Sequence, residues 1–429
     1  MGVIGDELGI SSFPDHILCH ILSFLPTKYA VKTSILARRW RFLWTRVVNL
    51  EFEHENSDSE SEEEMSFSDF VDRVFLQHNA PSINSFSFSS GADSKNCKLD
   101  SWISEAIDRN VQVMDLDNYL LRLPECLFKC DTLVDLRLHN CLLCDANLTV
   151  SLPKVKKLFL DSVMYDDYES LPKLISGCLL LEDLNIHRMM YGSKDMVYLY
   201  VSSPVLRRLA LNFEGCDYAK HIVELDTPQL QYLKVVDSIS IDIYTPKLSS
   251  LVQAEVCLCK DSCKGKFIDH RISSQFFESF SKVKCLTLSS GPTMTCVYTG
   301  FLATTTRFRY LTKLDWVADT HFLPRMLQIS HMLKILIIRK VDCDVKGWVD
   351  PAYIPFCLSS HIRTVSIYAY EGREWEYGMV SYILKNAEVL QQMNIYSKCV
   401  GNDSNSKFRA IQRISMLPRG SEKCELSLC

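Results

Sequence analysis

Apolar residues recur along this chain in two distinct periods. From residue 67 onward a six-residue unit returns, apolar-x-x-apolar-x-apolar, opening at Ile83, Val111, Leu133, Val155, Leu181, Leu206, Leu230, Val283, Leu311, Leu333, Ile362 and Leu390. LVDLRL, VKKLFL, LEDLNI, LQYLKV and LKILII are examples. Neighbouring starts lie mostly 22 to 29 residues apart; 53 separate Leu230 from Val283, room for two units with a degraded one near Leu251 and Val252. Positions four and six alternate with polar ones, the period of a short strand with one face inward. Residues 13–44 show a different period. Ile17, Leu18, Ile21, Leu22 and Leu25 recur at helical spacing, Pro14 suits a first helical position, and Pro26 stops the run. Thr27 reads as the cap of a second helix with Ala30, Val31, Ile35 and Leu36 on its inner side; Trp40, Phe42, Leu43 and Trp44 close the segment. Segments below about 40 residues rarely bury enough surface to stand alone. These side chains exceed what one small core needs, so part of the set is expected against a partner or the rest of the chain.

The repeat period and motif are those of a leucine-rich repeat. One narrow strand cannot close a core, so parallel stacking of successive units buries a continuous ladder of Leu, Ile and Val. Helix-like text precedes several units. Phe70, Val71, Val74 and Phe75 share a face, as do Trp102, Ile103, Ala106 and Ile107, while PECLFKC (124–130) and PRMLQIS (324–330) read as short turns started by proline. Val47, Val48, Leu50 and Phe52 read as a strand that begins the domain after the helices. Toward the C-terminus, Tyr382 to Ala387 reads as a helix and Leu390 to Tyr396 as a last repeat strand. A polar loop comes next (Gly401 to Ser406). Phe408, Ile411 and Ile414 then mark an amphipathic helix stopped by Pro418 and Gly420, and Leu426 and Leu428 a final strand. Such a terminal unit suits the capping that a solenoid requires.

Two segments carry a family resemblance. Phe13-Pro14-Asp15, ILSFLPTK (21–28), the Ala30-Val31…Thr33-Ser34…Leu36 spacing and Arg39-Trp40-Arg41…Leu43-Trp44 resemble the F-box, by which plant F-box proteins dock on a Skp-type adaptor of a cullin ubiquitin ligase. The sequence departs at Phe13, where Leu is usual, and at Ala37, where Ser or Cys is commoner. YILKNAEVLQQMNIY (382–396) and KFRAIQRISMLPRGSEKCELSL (407–428) resemble the FBD segment that ends many plant F-box/leucine-rich-repeat proteins. The resemblance implies an α/β chain in four parts: a helical F-box over 9–50, an acidic linker or loop over 51–66, an irregular repeat solenoid over 67–350 and an FBD cap over 351–429. It also implies adaptor contact through Phe13, Pro14, Ile17, Leu18, Ile21, Leu22, Leu25, Pro26, Leu36 and Trp40.

Charge and composition narrow the classes. The net charge of −5 is set by residues 51–64, which hold eight acids and no Lys or Arg; elsewhere 44 acids face 47 Lys and Arg. That balance gives no electrostatic reason to invoke nucleic acid or an anionic membrane. The acidic run repels itself and is expected as a solvated loop. Ser57, Ser59 and Ser61 fit acidophilic kinases, though plain solvation is the stronger reading. MGVIGDELGI lacks the basic and apolar regions of a signal peptide, and no apolar run reaches membrane-spanning length. The chain is therefore expected in the cytoplasm or nucleus, its 18 cysteines reduced and the sequons at Asn147 and Asn402 unmodified.

Candidate chemistry is sparse. No phosphate loop, H-E-x-x-H or G-x-S-x-G occurs, and Asp166-Asp167 reads as loop surface, so no catalysis and no cofactor are expected. Cys257-x-Cys259-x3-Cys263 with His270, and Cys141-x2-Cys144, approach zinc spacing without two close pairs; buried thiols are the better reading. The promising surface is the polar side of the repeat strands, expected to be concave. It carries Asp135, Arg137, His139, Lys157, Phe159, Asp161, Asp183, Asn185, His187, Tyr232 and Lys234, then Lys313, Asp315, Arg339, Tyr368, Asn394 and Tyr396. This mix suits recognition of a target protein of unknown identity. The family resemblance implies a non-catalytic substrate receptor of an SCF-type (Skp–cullin–F-box) ligase; the alternative is a repeat scaffold acting outside one.

Overall fold

A computed structural model describes residues 10–54, 67–91, 98–118, 122–143, 149–165, 167, 169–187, 190–191, 196–213, 220–237, 241–244, 248–258, 279–290, 307–317, 320–339, 347–397 and 412–428. Several expectations fall outside these residues: most of the acidic run with its three serines, Cys144, Cys259, Cys263, His270, both sequons and the polar loop after 400. The chain divides into two compact units, Met1–Ser193 and Lys194–Cys429.

The first unit opens with α1 (Asp15–Leu22) and α2 (Thr27–Lys32), succeeded by 3-10 turns at Thr33–Ile35, Arg38–Phe42 and Trp44–Arg46. Pro14 and Pro26 stand just before the two helices, preset in φ for helix entry. Thr27 does not cap α2. Its buried hydroxyl instead accepts the Glu51 amide at 2.8 Å. Strand β1 (Asn49–His54) comes next and takes in Leu50 and Phe52 of the strand expected after the helices. Beyond it lie α3 (Phe67–Gln77), β2 (Ser85–Ser90), α4 (Leu99–Asp108), β3 (Val113–Asn118), a 3-10 turn at Glu125–Lys129 and β4 (Asp135–His139). The unit continues through β5 (Leu142–Leu143), β6 (Lys157–Asp161), β7 (Met164–Tyr165), α5 (Ser170–Ser176), β8 (Asp183–His187) and β9 (Met190–Tyr191). Strands β1, β2, β3, β4, β6 and β8 pair in parallel without slippage, so Leu50, Phe86, Met114, Leu136, Leu158 and Leu184 share one row. An aromatic cluster fills the first layers: Phe52 stacks on Phe75 and abuts Phe86, and Phe88 meets Trp102.

The second unit holds β10 (Met196–Ser202), β11 (Arg208–Asn212), β12 (Lys220–Asp226), β13 (Tyr232–Asp237), β14 (Ile241–Tyr244), β15 (Gln253–Leu258), β16 (Cys285–Ser290) and β17 (Lys313–Val317). It ends with α6 (Leu323–Ile329), β18 (Ile335–Arg339), α7 (Phe356–Ser360), β19 (Thr364–Tyr370), α8 (Glu374–Asn386), β20 (Gln392–Ser397) and β21 (Glu425–Leu428). Strands β11, β13 and β15 to β21 form its parallel ladder. The degraded unit near Leu251 is a full rung, with Leu251, Ala254 and Val256 buried. Every repeat start named from sequence is buried, and so are the fourth and sixth positions behind it. Two small parallel sheets, β5-β7-β9 and β10-β12-β14, were not foreseen. In the first of them, the chain after β4, β6 and β8 extends again instead of coiling, where helix-like text is missing.

The C-terminal cap closes on backbone contacts. Glu376, buried at the start of α8, accepts the amides of Glu371 and Arg373 at 3.0 and 2.9 Å, a capping-box arrangement. Gly420 donates its amide to the Leu384 carbonyl, and a Cβ there would stand 2.5 Å from the Lys385 carbonyl oxygen. Only glycine permits that approach.

Candidate functional site

Two kinds of surface stand out, one on the helical module and one on the polar side of each strand ladder. The helical module builds a core of its own. α1 turns Leu18 and Leu22 inward against the Trp44–Arg46 turn, where Leu43, Trp44 and Val47 are also buried. Arg39 and Trp40 reach back across the module. The Arg39 guanidinium donates to Asp15 at 2.7 Å, to the Phe13 carbonyl at 2.7 Å and to the Ser11 carbonyl, and Trp40 Nε1 donates to Ser11 Oγ at 2.9 Å. Arg39, assisted by Arg46, holds the Asp15 carboxyl below the usual aspartate range.

This packing sorts the residues assigned to adaptor contact. Leu18, Leu22 and Trp40 lie inside, so they shape the surface and do not form it; the burial of their own stripe is the correction. Pro26 is half-buried, while Phe13, Pro14, Ile17, Ile21, Leu25 and Leu36 face solvent. Ile35 and Leu36, read as the inner side of the second helix, are 86% and 68% exposed, because the chain leaves α2 in a 3-10 turn that swings them outward. Phe24 and Phe42, absent from the assigned set, are 75% and 64% exposed. The signal that finds them is the excess of apolar residues itself.

On the first unit's polar face, polar pairs form along single strands and between neighbouring ones. Arg137 forks onto Asp135 at 3.2 and 3.0 Å, and Asn185 donates to Asp183 at 3.0 Å. His139 lies 3.4 Å from Asp115 and 3.8 Å from Asp161, which also meets His187 at 3.0 Å. Asp115, aided by the other carboxylates, raises the His139 pKa above its ordinary value. Phe159 packs against the His139 ring at 5.1 Å, and together with Asp115, Lys157 and Asp183 these residues line a depression of about 270 Å³. Six residues chosen from sequence thus converge: Arg137, His139, Lys157, Phe159, Asn185 and His187. Asp115, on the preceding strand, faces both Arg137 and His139 at 3.9 and 3.4 Å.

The second unit's polar face is organised around aromatic rings. Asp315 holds Arg339 at 3.0 and 3.2 Å; Arg339 lies over Tyr368 at 4.6 Å; Tyr368 stacks on Tyr396 at 4.5 Å and 11°. Tyr232 lies under Arg208 at 4.2 Å, and Lys234 is exposed on the same strand. Cys141 donates to the carbonyls of His139 and Leu116, as a buried thiol does. Among the described residues no three His, Cys, Asp or Glu side chains converge as metal ligands, and no helix is long and apolar enough to cross a membrane.

Known proteins match along most of the chain. A family model for the F-box domain matches residues 10–52, one for the LRR repeats of an FBD-associated F-box protein matches 99–293, and one for the FBD matches 350–395. Three Arabidopsis thaliana proteins, each named an F-box/FBD/LRR-repeat protein, are similar over nearly their full lengths. The first is 32% identical over 97% of this chain and 98% of its own. The others are 30% identical over 97% and 99%, and 29% identical over 97% and 93%.

Proposed function

Since this chain belongs to the F-box/FBD/LRR-repeat family, we propose that it is the substrate-recognition subunit of a Skp–cullin–F-box ubiquitin ligase, working in the cytoplasm or nucleus. Its helical module docks the adaptor, and through it the cullin, while the polar faces of the repeat ladders hold the target. The chain itself makes and breaks no bond. It raises the effective concentration of a target lysine beside a ubiquitin-charged enzyme carried elsewhere in the complex.

One observation carries this reading. The module satisfies its own core with Leu18, Leu22, Trp40, Leu43 and Trp44, yet eleven large apolar side chains between Ile10 and Val48 remain exposed. So many exposed large apolar side chains in one short module are uncommon on a free-standing surface and point to an interaction site. On the polar faces, preordered pairs such as Arg339–Tyr368 offer the aromatic and arginine anchors that dominate protein recognition.

The test is co-purification of the tagged full chain with a Skp-type adaptor. The wild type retains the adaptor, and an Ile35→Asp/Leu36→Asp variant, altered only at exposed positions, loses it. A folded wild type that retains none overturns the ligase reading in favour of a repeat scaffold acting outside a ligase.

A further inference from the structure

The edge of the second unit's ladder where the chain enters β16, β17, β18 and β19 carries charge of one sign. Lys284, Lys313, Lys334 and Arg363 stand there on four successive rungs, all exposed. Backbone bonds hold these rungs side by side. The Lys284 carbonyl accepts the amides of Thr312 and Lys313 at 2.9 and 3.0 Å, and the Thr312 carbonyl those of Lys334 and Ile335 at 2.9 Å. The Lys334 carbonyl accepts those of Arg363 and Thr364 at 2.9 and 3.1 Å. Neighbouring strands lie about 4.8 Å apart, so the four cations span about 14 Å. Lys282 and Arg309, also exposed, precede the row on its first two rungs. Over residues 279–290, 307–317, 330–339 and 361–366 the one acid is Asp315, and Arg339 holds it at 3.0 Å. None of the six cations has a carboxylate within ion-pair distance among the described residues. The same edge of the first unit, with Asn84, Gln112, Val134, Lys156 and Glu182, bears no such row.

We infer that this edge binds an acidic segment of a target protein, laid across the four rungs in extended form. The inference rests on the receptor reading for the word target and adds the chemistry of what is held. Like charges facing one another across neighbouring strands are destabilising. Here no described carboxylate relieves them, so an incoming anion removes repulsion as well as gaining attraction. An extended chain rises about 3.3 Å per residue and crosses the row in about four or five residues. Apolar side chains are set among the cations: Tyr310, Met332 and Ile335 are 57%, 40% and 37% exposed. A segment that mixes Asp or Glu with apolar residues satisfies both. A nucleic acid supplies the negative charge but needs flat rings on which its bases stack, and of these three only Tyr310 offers one.

The experiment measures binding of the full chain to a short labelled peptide of Glu, Asp and Leu by fluorescence anisotropy. Its Gln, Asn and Leu counterpart and a single-stranded thymidine oligonucleotide are measured beside it. The wild type is expected to bind the acidic peptide about tenfold or more tightly than the neutral one, and to weaken by about tenfold from low to high salt. A Lys284→Gln/Lys313→Gln/Lys334→Gln/Arg363→Gln variant, its fold checked by circular dichroism, is expected to bind about tenfold more weakly. A Lys28→Gln/Lys32→Gln/Arg38→Gln/Arg41→Gln variant removes the same charge from the helical module and is expected to bind like the wild type. Failure of the wild type to bind the acidic peptide, equal losses in the two variants, or tighter binding of the oligonucleotide overturns the inference. Should the ladder variant not fold, Lys334→Gln/Arg363→Gln takes its place with a smaller expected loss. No adaptor enters these measurements, so a negative result leaves the ligase reading standing, and a chain that binds the peptide but retains no adaptor overturns the ligase reading alone.

Discussion

His78 Nε2 donates to the carbonyl oxygen of Val47 at 2.7 Å, from the far end of the helix after the first strand. Arg109 donates to the other ring nitrogen at 2.9 Å, which fixes the neutral tautomer. Burial, foremost, then pushes the His78 pKa below 6.5. Folding disfavours the protonated ring, so its contribution to stability is full above pH 6.5 and is lost as pH falls through the lowered value. Urea midpoints of the wild type should drop between pH 7.5 and 5.5, and His78→Ala should flatten that slope while costing about 1–3 kcal/mol at pH 7.5. An unchanged slope would count against the role assigned to this ring.

His139 works in the opposite sense. Asp115 favours its charged form, so the stability it adds is complete below pH 6.5 and fades as pH rises through the raised value. In an NMR titration, Asp115→Asn should bring the His139 pKa down toward 6.5; if it does not move, the 3.4 Å pair is not what holds the proton.

Mutations on the two sides of α1 and its neighbours should separate. Leu18→Ala empties a fully buried site and should cost about 2–5 kcal/mol. Ile35→Asp, at an exposed site, should shift stability within about 0.5 kcal/mol. Chemical denaturation checks both, and equal losses would mean Ile35 is covered by the chain itself.

Burial pushes the thiols of Cys178 and Cys357 up to about 12. Neither should react with iodoacetamide at pH 8 in the native protein, and both should react in denaturant, read by peptide mass spectrometry. Labelling of either in the native state would contradict the packing around it.

Gly420→Ala should lower stability by about 1–3 kcal/mol, because the added methyl meets the Lys385 carbonyl. A thermal melt unaltered by the substitution would show that the cap can retreat from α8.

The ladder was legible because its rule is strict: one inward row at every rung, so Ile83, Val111 and their successors are buried without exception. The same rule fixes which side chains share the polar face, and hence the meeting of His139 with His187 around Asp161. Periodicity fails where it must name what covers an apolar face. Ile35 and Leu36 look inward on a helical wheel, but a 3-10 turn after Lys32 changes their direction. Thr27 has the chemistry of a cap and uses it on a strand amide 24 residues away. The small sheets escaped notice because segments such as VYLYVS carry strand alternation outside the repeat motif.

Because β1 is at once the exit from the helical module and the first rung of the ladder, the two cannot be cut apart cleanly. The Thr27 hydroxyl holds the Glu51 amide, the Val47 carbonyl holds His78, and the Val48 carbonyl accepts the amides of Asn84 and Ser85. Phe52 lies among Phe75 and Phe86. A fragment beginning after residue 54 would present the naked Ser85–Ser90 edge and an unroofed aromatic cluster, both prone to self-association. Chimeras that carry this chain's strand ladder should place the splice upstream of Pro14, not at the apparent seam.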